Sequence, residues 1–403
     1  MDRLCAAASP ADAPRHTLGS ILRLFLPALE STLGLGARPL RLLWRLASCG
    51  TGSLGATIFQ CPHCHKEHWT ARSCGDRHCP RCLAAKSRQW LYQQQRSLLP
   101  ITYYHCVFTL PSELNALMRL NPAQLYPLFF DCAAQSLLQF GRNRLGGDLG
   151  LSLVLHTWGQ QLNFHPHLHG IVTGGALSQD GQHWRSPKQR KFLFPVRALA
   201  ALFRGKFLHR LRRLLNAKAL RLPAYWPTTP LAQRQWFSLL YAKRWAVYAK
   251  VPFGGPQQVL SYLANYTHRV ALSNRRISAV DEQARRVTFT YRDYRKGGVI
   301  QPLTLPAREF IRRFSLHLLP AGLVRIRHYG ILANNRRERD IAKARAIFER
   351  RGLPASQLPT LRPLEPLLCP HCGRAGLQLV GWLDPYGLRH ISRLSRRLIL
   401  DSS

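Results

Sequence analysis

Acidic residues are scarce in this chain. Its 403 residues carry 19 Asp+Glu against 58 Lys+Arg, a formal net charge of +39 and an isoelectric point near 11.1. Such an excess repels itself unless a polyanion balances it, which argues against an enzyme working alone on small metabolites. Nucleic acid is the expected partner, with an anionic membrane surface as the other reading. A GC-rich genome would explain arginine over lysine, but not the shortage of acids. Long apolar runs are also missing. The best stretch, residues 21–33, is interrupted by Arg23, Pro27 and Glu30, and a membrane span needs about 18 or more uninterrupted apolar residues. The opening residues MDRLCAAASPADAPRH lack the basic-then-apolar order of a secretory leader, so a cytoplasmic protein is expected. No internal repeat is visible. Hydrophobic residues reach 46%, enough for packed cores, which excludes disorder of the whole chain. The length suggests two or three domains at about 100–200 residues each.

Periodicity places helices and strands in mixed order. Residues 17–48 alternate apolar and basic positions at helical spacing and predict two short helices around Gly34–Gly36. A helix is expected over 84–99, and an aromatic, β-branched strand over 101–110, ended by Pro111. Asn121-Pro122 opens a longer helix to about Phe140, before Gly146-Gly147. Residues 151–158 and 167–173 read as antiparallel neighbouring strands. A basic amphipathic helix is expected over 197–216, a strand over 245–250 and a helix over 257–266. A hairpin over 276–291, helices over 309–318 and 336–351, and a Pro/Leu-rich linker over 354–367 follow. The order fits an α+β fold with a mainly antiparallel sheet.

The 11 cysteines are clustered. In CPHCHKEHWTARSCGDRHCPRC, the knuckles Cys61–Cys64 and Cys79–Cys82 stand 14 residues apart. That spacing can bring four thiolates around one Zn²⁺. Reduced structural cysteines are the alternative. Cys74, His63, His65, His68 and His78 are surplus donors, so one can replace a cysteine or a second ion can bind. A set so rich in sulfur points to a closed, structural site rather than one that keeps a water. Arg72, Arg77, Arg81 and Arg88 flank it, either to touch DNA or as a solvated face. Cys369 and Cys372 form half of a site whose partners must come from elsewhere in the chain.

A second motif is HTWGQQLNFHPHLHG, residues 156–170. On a strand, His167 and His169 face one side while Leu168 faces the other. Two imidazoles on one side suit a divalent cation, although two surface histidines would show the same spacing. His156 on the preceding strand is a candidate third ligand and Gln160 a competing one; His165 is expected in the loop. Tyr262 and Tyr266 are i and i+4 on the expected helix, so their phenols share a face. A phenol attacks phosphate only when a cation or base offsets its high pKa of about 10; a nearby metal with Arg269 or His268 could do so. Two core aromatics would have the same spacing.

These elements together resemble the rolling-circle transposases of the insertion-sequence-91 family, in the HUH endonuclease superfamily (His, hydrophobic, His). The resemblance runs along most of the chain. It rests on the cysteine module, YHCVFTLP at 104–111, LHTWGQQLNFHPHLHGIVTGG at 155–175, YAKVPFGGPQQVLSYLANYTHRVALSNRRI at 248–277, VTFTYRDYR at 287–295 and RIRHYGILAN at 325–334. It implies that His167 and His169 bind Mg²⁺ or Mn²⁺, with a third ligand from a neighbouring strand or from the tyrosine helix; His156, on the neighbouring strand, is the candidate. It implies that Tyr262 and Tyr266 are nucleophiles toward single-stranded transposon ends. It also implies a bacterial, nucleoid-associated location. The implied organisation is a helical segment 1–50, a zinc module and helix 51–100, an antiparallel HUH nuclease 101–275 backed by helices, a basic extension 276–353 and a tail 354–403. Without a GxxxxGK[ST] loop, unwinding falls to host replication and helicase machinery.

Rival readings share parts of this pattern. A replication initiator or relaxase would use the same chemistry, but the zinc module and the length of the resemblance disfavour both. A tyrosine recombinase has no use for the HLH strand. A carboxylate-triad transposase needs three acids around two metals, and no acids cluster with the histidines. A non-catalytic zinc-containing DNA-binding regulator would tolerate loss of the tyrosines and histidines. Arg312, Arg313, Arg325 and Arg327 are expected either to guide DNA or to form ordinary surface. Tyr291, Tyr294 and Tyr329 could stack on bases or fill a core.

Overall fold

A computed structural model of the chain describes residues 15–83, 94–188, 193–250, 270–353 and 367–391, with Trp90, Gln258 and Val259 between them. At its centre lies a five-stranded antiparallel sheet. The order is Ile326–Gly330, Gly150–Trp158, Phe164–Thr173, Tyr103–Thr109 and Val247–Lys250. The histidine strand Phe164–Thr173 is therefore the middle strand. Side chains alternate across a sheet, and here one set is apolar. Tyr104, Cys106, Phe108, Leu153, Leu155 and Leu168 are buried on one face. They pack with Phe129 of helix Pro122–Leu145 and with Phe203 and Phe207 of helix Val196–Asn216. Phe203 meets Phe108 edge-on at 5.1 Å and Trp245 at 5.4 Å. Burying Leu168 in this layer turns His167 and His169 to the opposite face.

Helix Pro122–Leu145 runs past the expected Phe140, and Gly146 ends it with φ 67°, a left-handed turn that suits glycine. Asn121 does not cap it. Its buried amide instead donates to the Leu117 and Arg221 carbonyls and accepts from the Arg221 N–H, tying the 221 loop to the helix start.

A second core joins segments from opposite ends of the chain. Leu18, Ile21, Leu22 and Phe25 of helix Leu18–Leu29 and Leu43 and Leu46 of helix Ala37–Ala47 pack with Phe289, Phe310, Ile311 and Phe314. The expected hairpin is present as Ile277–Asp281 and Arg286–Asp293, and Val299–Pro306 extends it to three strands. The expected helical N-terminus and basic extension thus share one apolar layer. A further four-stranded sheet runs Arg389–Ile391, Gln378–Leu383, Ala56–Gln60, Glu67–Ala71. It unites the expected zinc module with the expected tail. Likewise Ile326–Gly330, expected in the extension, is an edge of the central sheet. The helix Pro230–Ala242 was not foreseen. The helices and antiparallel sheets together are the expected α+β class. Among the described residues no helix is long and apolar enough to cross a membrane.

Candidate active site and metal centres

Strand register assembles three histidines. His156 lies directly opposite His167, and Val154 opposite His169. The three residues share the sheet face away from the Phe129–Phe203 layer, and their ligand atoms all lie within 4.8 Å of one another. Ring centroids are 4.7 Å apart for His156 and His169, 4.9 Å for His167 and His169, and 5.4 Å for His156 and His167. His156 is 2% exposed and stacks on Trp158 at 4.6 Å, which fixes its ring.

The surroundings select tautomers. His167 Nδ1 lies 2.7 Å from the His165 carbonyl oxygen. A carbonyl only accepts, so Nδ1 carries the proton and Nε2 keeps the lone pair. Burial holds the His167 ring down at about 4, so it is neutral at physiological pH and able to ligate. His169 Nδ1 lies 2.9 Å from His105 Nε2, with the two rings parallel. When His169 Nδ1 donates and His105 accepts, His169 Nε2 is left as a ligand. His105 was not singled out in the sequence. The sequence shows the alternation of His105, Val107 and Thr109, but the pairing that sets Val107 and Thr109 opposite His169 and His167 comes from the sheet.

Two sequence expectations change here. His165 is not in a loop; it is the second residue of the histidine strand, exposed, and contributes its backbone carbonyl. Gln160 does not join the triad. Its carbonyl accepts from Arg276 and its side-chain oxygen from the Arg292 N–H, which turns it toward the 277–306 sheet. The histidines that converge are His156, His167 and His169. Tyr262 and Tyr266, with His268 and Arg269, lie outside the described residues.

Among the described residues, eight cysteines form two separate four-thiol groups rather than one. Cys74, Cys79 and Cys82 converge with Cys49, and Cys61 and Cys64 converge with Cys369 and Cys372. The expected pairing of Cys61–Cys64 with Cys79–Cys82 about a single ion is thus replaced. The reason is topological: strands Ala56–Gln60 and Glu67–Ala71 carry the first knuckle toward the C-terminal sheet. In the first group Cys49–Cys82 and Cys74–Cys82 are 3.6 Å apart and Cys49–Cys79 3.5 Å. A tetrahedron with Zn–S of about 2.3 Å requires S···S of about 3.8 Å, close to what is seen. The hydrogen bond from Cys74 pulls Cys79 down to about 5, and the same bond pushes Cys74 upward. Four such thiols ionise together only around a cation, so the donor set fits Zn²⁺. Cys49 was missed because it stands alone, outside any CxxC pair, 25 residues before Cys74 with two strands between them. The surplus donor His78 is turned away from the sulfurs: it bonds Asp76 at 2.7 Å and accepts from the Leu319 N–H at 3.0 Å.

Several basic residues have structural partners. Arg77 donates to the Leu323 and Pro320 carbonyls. Arg312 and Arg313 both grip Glu309, and Arg325 is buried. Arg327 lies over the Phe130 ring at 4.8 Å. Tyr329 donates to Asp131, and Tyr291 to Gln301, whereas Tyr294 is 69% exposed. Arg88 lies outside the described residues.

A family model described as a putative transposase matches residues 150–339, the stretch that begins at the His156 strand. Another, described as a transposase zinc-binding domain, matches residues 21–110, which include Cys49, Cys74, Cys79 and Cys82. The chain is 41% identical over 314 residues to the putative transposase y4qJ of Sinorhizobium fredii, covering 76% of this chain and 78% of that protein. It belongs to the insertion-sequence-91 family of transposases. The transposase for insertion sequence element IS801 of Pseudomonas savastanoi pv. phaseolicola is 28% identical over 297 residues, covering 72% of this chain and 69% of that one. No solved structure matches. For a transposase the partner is DNA, which accounts for the charge of +39.

Proposed function

We propose that this transposase is a metal-dependent HUH nuclease and strand transferase, acting on single-stranded transposon ends in rolling-circle transposition. The observation that carries the reading is the His156, His167 and His169 group on the middle of an antiparallel sheet. Three neutral imidazoles fit a divalent Mg²⁺ or Mn²⁺ while leaving its full charge for a DNA phosphate. The bound ion would polarise that phosphate and orient it. Imidazole is softer than the oxygen ligands Mg²⁺ prefers, so Mn²⁺ is expected to bind this set more tightly.

Tyr262 and Tyr266 are the proposed nucleophiles. A phenolic oxygen attacks the phosphorus and gives up its proton to water. The bond from phosphorus to the 3′-oxygen breaks, and that oxygen takes a proton to become a free 3′-OH. The strand remains as a 5′-phosphotyrosine. The second tyrosine allows a further transfer before the first link is resolved. Host replication and helicase machinery separates the strands.

The test mixes zinc-loaded protein with a labelled single-stranded transposon end, with Mg²⁺ or EDTA. A denaturing gel then reads covalent adducts. A metal-dependent 5′ adduct is expected, lost in the Tyr262→Phe/Tyr266→Phe double variant, with the single variants ordering the two nucleophiles. No adduct from folded protein on a verified end would favour a DNA-binding regulator instead.

A further inference from the structure

Cys61–Cys64 and Cys369–Cys372 are 305 residues apart in the chain along one sulfur contact and 311 along the other, yet they build the same local structure twice. Both read Cys-Pro-His-Cys. In each, the third residue's N–H points at the first sulfur, His63 to Cys61 at 3.4 Å and His371 to Cys369 at 3.4 Å. In each, the residue after the second cysteine donates to the first cysteine's carbonyl, His65 at 3.0 Å and Gly373 at 2.8 Å. Those two residues are left-handed, with φ 55° at His65 and 71° at Gly373. In each, the first cysteine's N–H closes the loop on the following residue's carbonyl, Lys66 at 3.1 Å and Arg374 at 2.8 Å. A non-glycine residue such as His65 takes a left-handed conformation only at a cost, and here it completes a knuckle that aims two sulfurs outward. The two knuckles face one another, with Cys61–Cys372 at 3.6 Å and Cys64–Cys369 at 3.7 Å.

We propose that Cys61, Cys64, Cys369 and Cys372 hold a second Zn²⁺, separate from the Cys49 group, and that this ion clasps the C-terminal segment onto the N-terminal module. Cys369 and Cys372 lie outside both matched family ranges, which end at residues 110 and 339. The strand pairing agrees with a clasp: Ala56–Gln60 follows Gln378–Leu383 antiparallel, with Gln60 opposite Gln378 beside the knuckles. A metal clip between distant residues removes more freedom from the unfolded chain than a local one. The site is sulfur-only and complete with four ligands, so it is structural rather than hydrolytic. It does not depend on the chemistry proposed for the histidines.

The test reads metal and accessibility on the whole protein. Zinc analysis should give two ions per chain, falling to one in Cys369→Ser/Cys372→Ser and to one in Cys74→Ser/Cys79→Ser. Alkylation followed by mass spectrometry on the wild-type protein provides a measurement that needs no variant. Cys372 is exposed, so burial does not shield it from the reagent, and the comparison is between the zinc-loaded and the chelated protein. Cys372 should resist iodoacetamide in zinc-loaded protein and react at once after chelation. For the clasp itself, a protease site inserted between residues 354 and 366 is cleaved. The C-terminal fragment should co-elute with the body when zinc is bound and separate when it is removed. One zinc per chain, or prompt alkylation of Cys372 in the loaded protein, would overturn the site. Co-elution unchanged by chelation would overturn the clasp.

Discussion

His105 should set the metal affinity of the histidine triad without touching the ion. Its Nε2 lies 2.9 Å from His169 Nδ1, and their rings are parallel to within 5°. That contact can hold the proton on His169 Nδ1 and so leave Nε2 free to ligate. Removing the acceptor in His105→Leu lets His169 rotate and sample the other tautomer. Loss of such an outer partner typically weakens metal binding about 10–100-fold, or roughly 1.4–2.7 kcal/mol. The side-chain amide of Gln reaches nearly the position of a histidine Nε2, so His105→Gln should recover most of the affinity. His105 is buried, and a packing defect alone would lower stability in both variants. Calorimetric titration of zinc-loaded protein with Mn²⁺, alongside thermal denaturation without Mn²⁺, separates these effects. Equal Mn²⁺ affinity in wild type and His105→Leu would refute the positioning role. Equal loss in the Leu and Gln variants would refute the acceptor argument.

Three other outcomes are expected. His317 is buried between the Thr157 hydroxyl at 3.2 Å and the Leu162 carbonyl at 3.1 Å, and burial holds it down at about 4 from an ordinary 6.5. The unfolded chain takes the proton first, so this contribution is intact above pH 6.5 and is lost as pH falls toward 4. The loss amounts to roughly 3 kcal/mol at most. Chemical denaturation from pH 7 to 5 should show a flatter profile in His317→Gln than in wild type. An identical slope would remove His317 as its source, since acid release of zinc affects both proteins alike. Gly330 has φ 63°, and a Cβ there would stand 1.8 Å from the Leu149 carbonyl oxygen. Gly330→Ala should therefore cost about 1–3 kcal/mol in urea unfolding, and an unchanged midpoint would contradict the edge-strand geometry. Finally, single-stranded DNA affinity should fall steeply with salt, as expected when many phosphates are neutralised; a flat dependence between 50 and 200 mM, about the range over which such contacts show, would argue against a backbone-tracking surface.

The separate pieces of the site were legible in the sequence. The HLH alternation alone placed His167 and His169 on one side of a strand, because strand side chains repeat every two residues. Periodicity also found the helices Leu18–Leu29, Ala37–Ala47, Val196–Asn216 and Arg337–Arg350, and the hairpin beginning at Ile277. The composition alone pointed to a polyanionic partner. What joins those pieces was decided only in three dimensions. Register between Gly150–Trp158 and Phe164–Thr173 brought His156 opposite His167, while the Gln160 side chain accepts from the Arg292 N–H. Pairing of Tyr103–Thr109 with the same strand supplied His105. The two knuckles of the cysteine-rich stretch were drawn apart, one to Cys49 and one to Cys369 and Cys372. Local spacing carries the short-range geometry of a turn or strand. The choice among many equally spaced thiols depends on which distant strands pair, and that is settled by the packing of the whole chain.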